Sequence, residues 1–204
     1  MKVLAINGSP RKGGNTETLL RAALAPLDEA GWDTELVQAG GRGLNGCIAC
    51  YKCFENQDRR CAVTTDGMNE ILDKVFTADA MLFGSPTYFA DVSADLKAVL
   101  DRAGLVSIAN GGLLAGRIGA GVVAVRRGGG VHVYDSINHM FLMSQMLVPG
   151  STYWNLGYGM DKGEAADDAE GMANMAQLGR AVDWLAKATV PVRGDYPRAT
   201  RGEG

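Results

Sequence analysis

Histidine is scarce in this chain: His132 and His139 are the two present among 204 residues. They lie seven apart in one helical stretch, too far for a single metal, and read as packing or surface residues. Long apolar runs are missing as well. Nothing approaches the roughly 20 residues that would span a bilayer, so no membrane partner is expected. A basic excess is absent: the formal net charge is -3, and a nucleic-acid partner would need a basic face. The apolar start, residues 1–6, is too short for a secretory signal and runs straight into glycine, which gives the expectation of a cytoplasmic protein. What is present is an ordinary globular balance, 47% hydrophobic and 21% charged, in a length that suits one domain. The 28 glycines gather at specific places, and all four cysteines fall between Cys47 and Cys61.

Strand and helix signals alternate. Residues 2–6, 34–38, 80–84, 118–125 and 146–152 read as strands, the fourth being apolar enough to be central. Helices are expected over 16–30 with Asn15 as N-cap, 67–76, 92–106, 132–145 and 165–188. Residues 40–66 form a long loop insertion and 153–164 a second loop. Residues 1–190 make the domain, and 191–204 form a flexible or subunit-packing tail. The three tryptophans, Trp32, Trp154 and Trp184, read as packing anchors. Five alternating strands predict an α/β fold: a doubly wound five-stranded parallel sheet in three layers, α/β/α. Ligands of such sheets bind beyond the carboxyl ends of the strands at the switch point. The loops starting at Asn7, Ser85 and Arg126 follow strands one, three and four, neighbours around one crevice in a flavodoxin-like order.

The first of these loops, Gly8-Ser9-Pro10-Arg11-Lys12-Gly13-Gly14-Asn15-Thr16, combines glycines for a tight turn, side-chain donors on Ser9, Asn15 and Thr16, and positive charge on Arg11 and Lys12. The helix beginning at Thr16 aims its positive end at the same place. This suits a terminal phosphate monoester. The loop matches neither the Gly-x-x-x-x-Gly-Lys-Ser/Thr nor the Gly-x-Gly-x-x-Gly nucleotide pattern. After strand three, Pro86 stiffens a loop in which the backbone N–H groups of Thr87, Tyr88 and Phe89 are expected to meet the polar edge of a flat ring, with an aromatic side chain packed on it. After strand four, Arg126, Arg127, Gly128 and Gly129 permit close approach and offer charge to an anionic reduced ring.

Gly-Ser-x-Arg followed by Asn-Thr at 8–16 resembles the NADPH-dependent FMN reductase branch of the flavodoxin-like superfamily. Gly-Ser-Pro-x-Tyr-Phe at 84–89, Val-Ser-Ala-x-Leu-Lys at 92–97, Asp101-Arg102, Tyr158-Gly159 and Asp168-x-Glu170-Gly171 are similar to the same family over roughly residues 1–188. The resemblance implies that Ser9, Arg11, Gly14, Asn15 and Thr16 hold an FMN phosphate and that the other two loops border the flavin. Ser93, Lys97, Asp101 and Arg102 then shape the helix and a subunit contact without touching flavin. It implies no side-chain catalyst, because the cofactor carries the redox step. NAD(P)H is a possible electron donor, and the assembly is expected to be a dimer or tetramer.

Cys47-x-x-Cys50-x-x-Cys53, then seven residues, then Cys61, can wrap one compact centre: a 4Fe-4S cluster or a structural zinc, the latter usually built from two knuckles further apart. A dithiol switch and idle thiols are the other readings. The motif resembles that of the iron–sulfur flavoproteins of anaerobes, whose first three spacings are the same. That resemblance implies a cluster on Cys47, Cys50, Cys53 and Cys61 and opens a second role, a ferredoxin-fed electron carrier in place of a nicotinamide-dependent reductase.

Overall fold

The computed structural model describes residues 1–197. Five parallel strands, β1 (Lys2–Asn7), β2 (Asp33–Gln38), β3 (Ala80–Pro86), β4 (Ile118–Val125) and β5 (Leu156–Tyr158), make one sheet in the order β2-β1-β3-β4-β5. Six helices accompany it: α1 (Asn15–Glu29), α2 (Lys52–Asn56), α3 (Met68–Val75), α4 (Ala94–Ala109), α5 (Gly130–Met143) and α6 (Ala169–Thr189). This is the flavodoxin-like doubly wound arrangement, with its switch point between β1 and β3.

Strand alternation divides the core. Val3, Ala5, Leu82, Ala120 and Val122 face α1 and α6, while Leu4, Ile6, Met81, Phe83 and Val123 face α3, α4 and α5. Every residue of β3 and β4 is buried, as parallel strands covered on both faces require. Gly119 lets α5 settle on the sheet, since a Cβ there would lie 2.7 Å from the Phe141 ring. Among the described residues no helix is long and apolar enough to cross a membrane.

Four sequence expectations are corrected. The fifth strand is Leu156–Tyr158, within the segment expected to be loop; in the expected segment 146–152 Leu147 makes a single bridge to Ile118 before the chain leaves the sheet. Asn15 does not cap α1: the cap position is Gly14, without a side-chain hydrogen bond. The long loop contains a short helix, α2, that carries Cys53. Of the three tryptophans Trp32 is buried, but Trp154 and Trp184 are exposed. Beyond α6, Val190–Asp195 forms a 3₁₀ segment; Arg193 pairs with Asp79 at 2.9 Å, and Tyr196 rests against Gly116. Residues 198–204 of the expected tail lie outside the described residues.

Candidate functional site

The loops that follow β1, β3, β4 and β5 converge at the carboxyl edge of the sheet. They surround a cleft of about 310 Å³, partly open to solvent, at the lower end of the range of pockets that take small ligands. Ser9, Arg11, Gly14, Asn15, Thr16, Pro86, Thr87, Tyr88 and Arg126 all line it. Phe89, Arg127, Gly128 and Gly129, which the sequence also pointed to, do not. Phe89 is fully exposed at the tip of a turn in which Tyr88 and Asp91 pair, and Phe89 and Ala90 both have positive φ. Sequence reasoning overlooked the fourth wall, Gly159, Met160, Asp161 and Lys162, whose signal was the Tyr158-Gly159 match.

The first loop is held open from below. Asn7 Oδ1 accepts the Ser9 N–H at 3.0 Å, Ser9 Oγ accepts the Arg11 N–H at 3.2 Å, and Gln38 Nε2 donates to the carbonyls of Ser9 and Gly40. The Ser93 hydroxyl, which also caps α4, donates to the Gly8 carbonyl at 2.7 Å and so ties this loop to the one after β3. Gly14 brings no side chain to the start of α1, so the first N–H groups of the helix stay available to an anion. Glu17 shows what that end attracts: its carboxylate accepts the Gly13 N–H at 2.7 Å. That bond, with the Arg21 guanidinium second, lowers its pKa.

The second loop differs from expectation in its donors. The Thr87 N–H is spent on the Ala124 carbonyl and the Tyr88 N–H on Asp91. The free group is a side chain: Thr87 Oγ1 is buried without a hydrogen-bond partner at the edge of the cleft. A buried hydroxyl left unpaired costs about 1–3 kcal/mol, so a ligand polar atom is its natural complement. The uncapped helix end, the cationic rim and this hydroxyl together fit FMN. In the fourth wall, the Glu164 carboxylate grips the N–H groups of Met160 and Asp161 at 2.7 and 2.8 Å.

The four cysteines meet elsewhere. Cys47, Cys50, Cys53 and Cys61 line one pocket, walled by Ile48, Leu105 and Val106 and backed by the Arg102 guanidinium. Cys47 and Cys50 are exposed, Cys53 is buried and Cys61 is half-buried. Burial pushes the Cys53 thiol up, and the other three sulfurs push it further. Among the described residues no three His, Cys, Asp or Glu side chains are set at metal-binding spacing. The backbone around the sulfurs is strained: Ala49, Tyr51, Gln57 and Arg59 all take positive φ, at roughly 1–3 kcal/mol each. Cys61 is gripped by the buried Asn69 side chain, which accepts its N–H at 2.8 Å and donates to its carbonyl at 2.9 Å. Arg102, expected on the sequence to shape a subunit contact, is fully buried behind this loop. His132 and His139 sit on α5 and line neither site; His132 lies 3.5 Å from the Asp91 carboxylate, in the turn after β3.

Residues 1–161 match the family model for NADPH-dependent FMN reductase. An iron–sulfur flavoprotein of Methanocaldococcus jannaschii is 37% identical over 194 residues, covering 92% of this chain and 98% of that protein. An iron–sulfur flavoprotein of Methanosarcina thermophila is 32% identical over 182 residues, covering 88% and 92%. Among solved structures, RosB with its bound 8-demethyl-8-formylriboflavin-5'-phosphate intermediate superposes with a TM-score of 0.70 at 15% identity, covering 94% of this chain and 81% of that one, a likeness of fold. The site geometry and these relationships agree: the chain belongs to the NADPH-dependent FMN reductase family, on its iron–sulfur flavoprotein branch, and is a flavodoxin-like FMN oxidoreductase.

Proposed function

We propose that this protein is an electron carrier that couples FMN, held in the cleft, to a 4Fe-4S centre on Cys47, Cys50, Cys53 and Cys61. The observation that carries the reading is that four cysteines spread over 15 residues line a single pocket with no carboxylate or imidazole among its walls. Such an all-sulfur donor set suits an iron–sulfur centre. The names of the two archaeal relatives support it. When bound, FMN exchanges electrons in pairs or singly and the cluster exchanges them singly, which makes the pair a converter between two-electron and one-electron partners.

The chain's own residues have defined tasks. Ser9, Arg11, Asn15 and Thr16 hold the phosphate, with the amides at the start of α1 behind it. Pro86, Thr87 and Tyr88 border the ring, Thr87 Oγ1 meeting a polar ring atom. Arg126 offers positive charge to the reduced ring, favouring its anionic form. Arg102, which backs the cysteine pocket, offsets part of the negative charge of the thiolates, whereas Arg59 donates to the Phe76 carbonyl and Arg60 pairs with Asp73. The expected partners are a ferredoxin-type protein and further copies of the chain, in a reducing cytoplasm that keeps the thiols free.

Anaerobic purification with an absorption spectrum, iron and labile-sulfide assays tests this. Flavin bands with about four irons per chain support it; flavin without iron, even after reconstitution with iron and sulfide, refutes the cluster.

A second reading, a nicotinamide-dependent reductase of free flavin or quinone, draws on the family model that residues 1–161 match. Arg11, Arg126 and Lys162 line the cleft against one acid, Asp161, and this balance is taken up by the FMN phosphate itself, so the rim does not favour a second anion. Steady-state oxidation of NADPH with free FMN or a quinone, set beside oxidation of reduced ferredoxin, separates the two. A nicotinamide rate near background leaves the carrier.

A further inference from the structure

The largest fully buried side chain among the described residues is that of Arg102, a charged group on α4. Its ion-pair partner Asp66 is equally hidden, the two side chains being 1% and 2% exposed. Burying a charge pair is costly unless its remaining hydrogen-bonding capacity is met, and here it is met in an instructive way. Arg102 Nη1 donates to Asp66 Oδ2 and to the Asn45 carbonyl at 3.1 Å. Nη2 donates to the Val63 carbonyl at 2.7 Å, and Nε donates to the Cys61 sulfur at 3.3 Å. Asp66 accepts in addition the N–H groups of Asn45 and Met68. One guanidinium thus clasps the cysteine loop on both sides, at Asn45 just before Cys47 and at Cys61 and Val63 just after the run.

Anchoring alone would not aim Nε at sulfur. Sulfur is a weak acceptor, and an oxygen would serve an anchor better. The other three contacts already fix the plane of the guanidinium, whose rigid fork then sets where Nε points. Asn69 independently fixes the backbone of Cys61. The Arg102 contact is the one that acts on the sulfur itself.

We propose that Arg102 is a positioning residue for the thiolate centre. Its Nε–H bond orients the Cys61 sulfur for ligation and stabilises electron density on it, so that the bound centre accepts an electron at a higher potential than it would without this bond. The proposal rests on the reading of the four cysteines as one ligand set. Hydrogen bonds to ligand sulfurs and nearby positive charge favour the reduced, more negative state, and residues that orient ligands typically contribute 10–100-fold to metal affinity.

The test uses two metals. Replacing the pair together, Arg102→Gln with Asp66→Asn, leaves neither charge buried alone. If that protein does not fold, Arg102→Lys keeps the charge but cannot reach all four partners from one point. Metal-free full-length wild type and variant are titrated with Co²⁺, and the sulfur-to-cobalt charge-transfer band is followed. Affinity is expected to fall about 10–100-fold, and the band to move to longer wavelength because the sulfur lone pair is less stabilised. In anaerobically purified, iron-containing protein the cluster potential is expected to move down. An unchanged band position and potential, even with weaker binding, would reduce Arg102 to a loop anchor and overturn the proposal. Wild type that takes up no iron would instead overturn the iron–sulfur reading, while the cobalt band still decides the role of Arg102.

Discussion

Asn15 Oδ1 accepts the backbone N–H of Ala165 at 3.1 Å, a hydrogen bond between residues 150 positions apart. It joins the phosphate loop to the loop after β5 and so sets the width of the cleft, because Met160 and Asp161 hang from Glu164, the residue before Ala165. Asn15→Ala removes the acceptor and is expected to weaken FMN binding about tenfold, near 1.4 kcal/mol. Fluorescence titration of the flavin-free protein measures this, and equal affinity would mean both that the fourth wall holds its place unaided and that Asn15 does not hold the phosphate.

Discrimination between FMN and riboflavin is the sharpest assay of the first loop. With Ser9→Ala and Arg11→Ala together, two polar contacts to the phosphate disappear at roughly 1.5 kcal/mol apiece, which predicts a loss near a hundredfold for FMN and little for riboflavin. Competitive titration with the two flavins reads the difference directly. A preserved preference would put the phosphate elsewhere.

Two glycines predict opposite phenotypes. A Cβ on Gly40 would come within 2.2 Å of the Ser9 carbonyl carbon, so Gly40→Ala displaces the phosphate loop and is expected to cut flavin affinity before it harms the fold. A Cβ on Gly179 would come within 2.3 Å of the Ala23 carbonyl oxygen, where α6 crosses α1. Gly179→Ala is therefore expected to cost about 1–3 kcal/mol of stability. The corresponding fall in Tm is roughly 2–4 °C for each kcal/mol in a chain of this size. Calorimetry beside flavin titration on both variants distinguishes the cases.

Acid stability follows from depressed carboxyl groups. Burial would raise the pKa of Asp79, but the Lys2 N–H and the Arg193 guanidinium outweigh it, leaving it below the usual carboxylate value. The Lys74 ammonium does most to lower that of Glu35. Groups whose folded pKa is depressed stabilise the protein fully above the unfolded value and release that stability as pH falls through the folded one. Unfolding free energy from urea titrations should therefore hold from neutrality to about pH 5 and decline below it. Asp79→Asn should lower stability at pH 7 and flatten that decline; an unaltered slope would show that Asp79 does not titrate with folding.

Much of this fold is written in short-range pattern. β1, β3, β4 and α1 announce themselves by apolar period and by the glycines that end them, and the convergence of three loops on one cleft follows from strand order. What the sequence misplaced depends on contacts distant along the chain. Residues 146–152 have a strand's composition, yet β5 forms where Gly157 lets the backbone pass: a Cβ there would meet Leu19 at 2.3 Å. Arg102 looks like surface charge beside Asp101; its burial depends on Asp66, Asn45, Cys61 and Val63, none of which a helical period reveals. The sequence points to the N–H of Thr87, but the ladder to Ala124 takes that group and leaves the hydroxyl to the cleft.

The two ends of the sheet limit how copies of this protein can meet. β5 has three residues, and at the opposite margin β2 places Glu35 between Lys2 and Lys74. A stub and a charged border are both poor templates for another strand, since edge-to-edge growth needs a long, flat, uncharged margin. The sheet is thereby a closed unit, whose partially unfolded forms have little margin on which to recruit a neighbour.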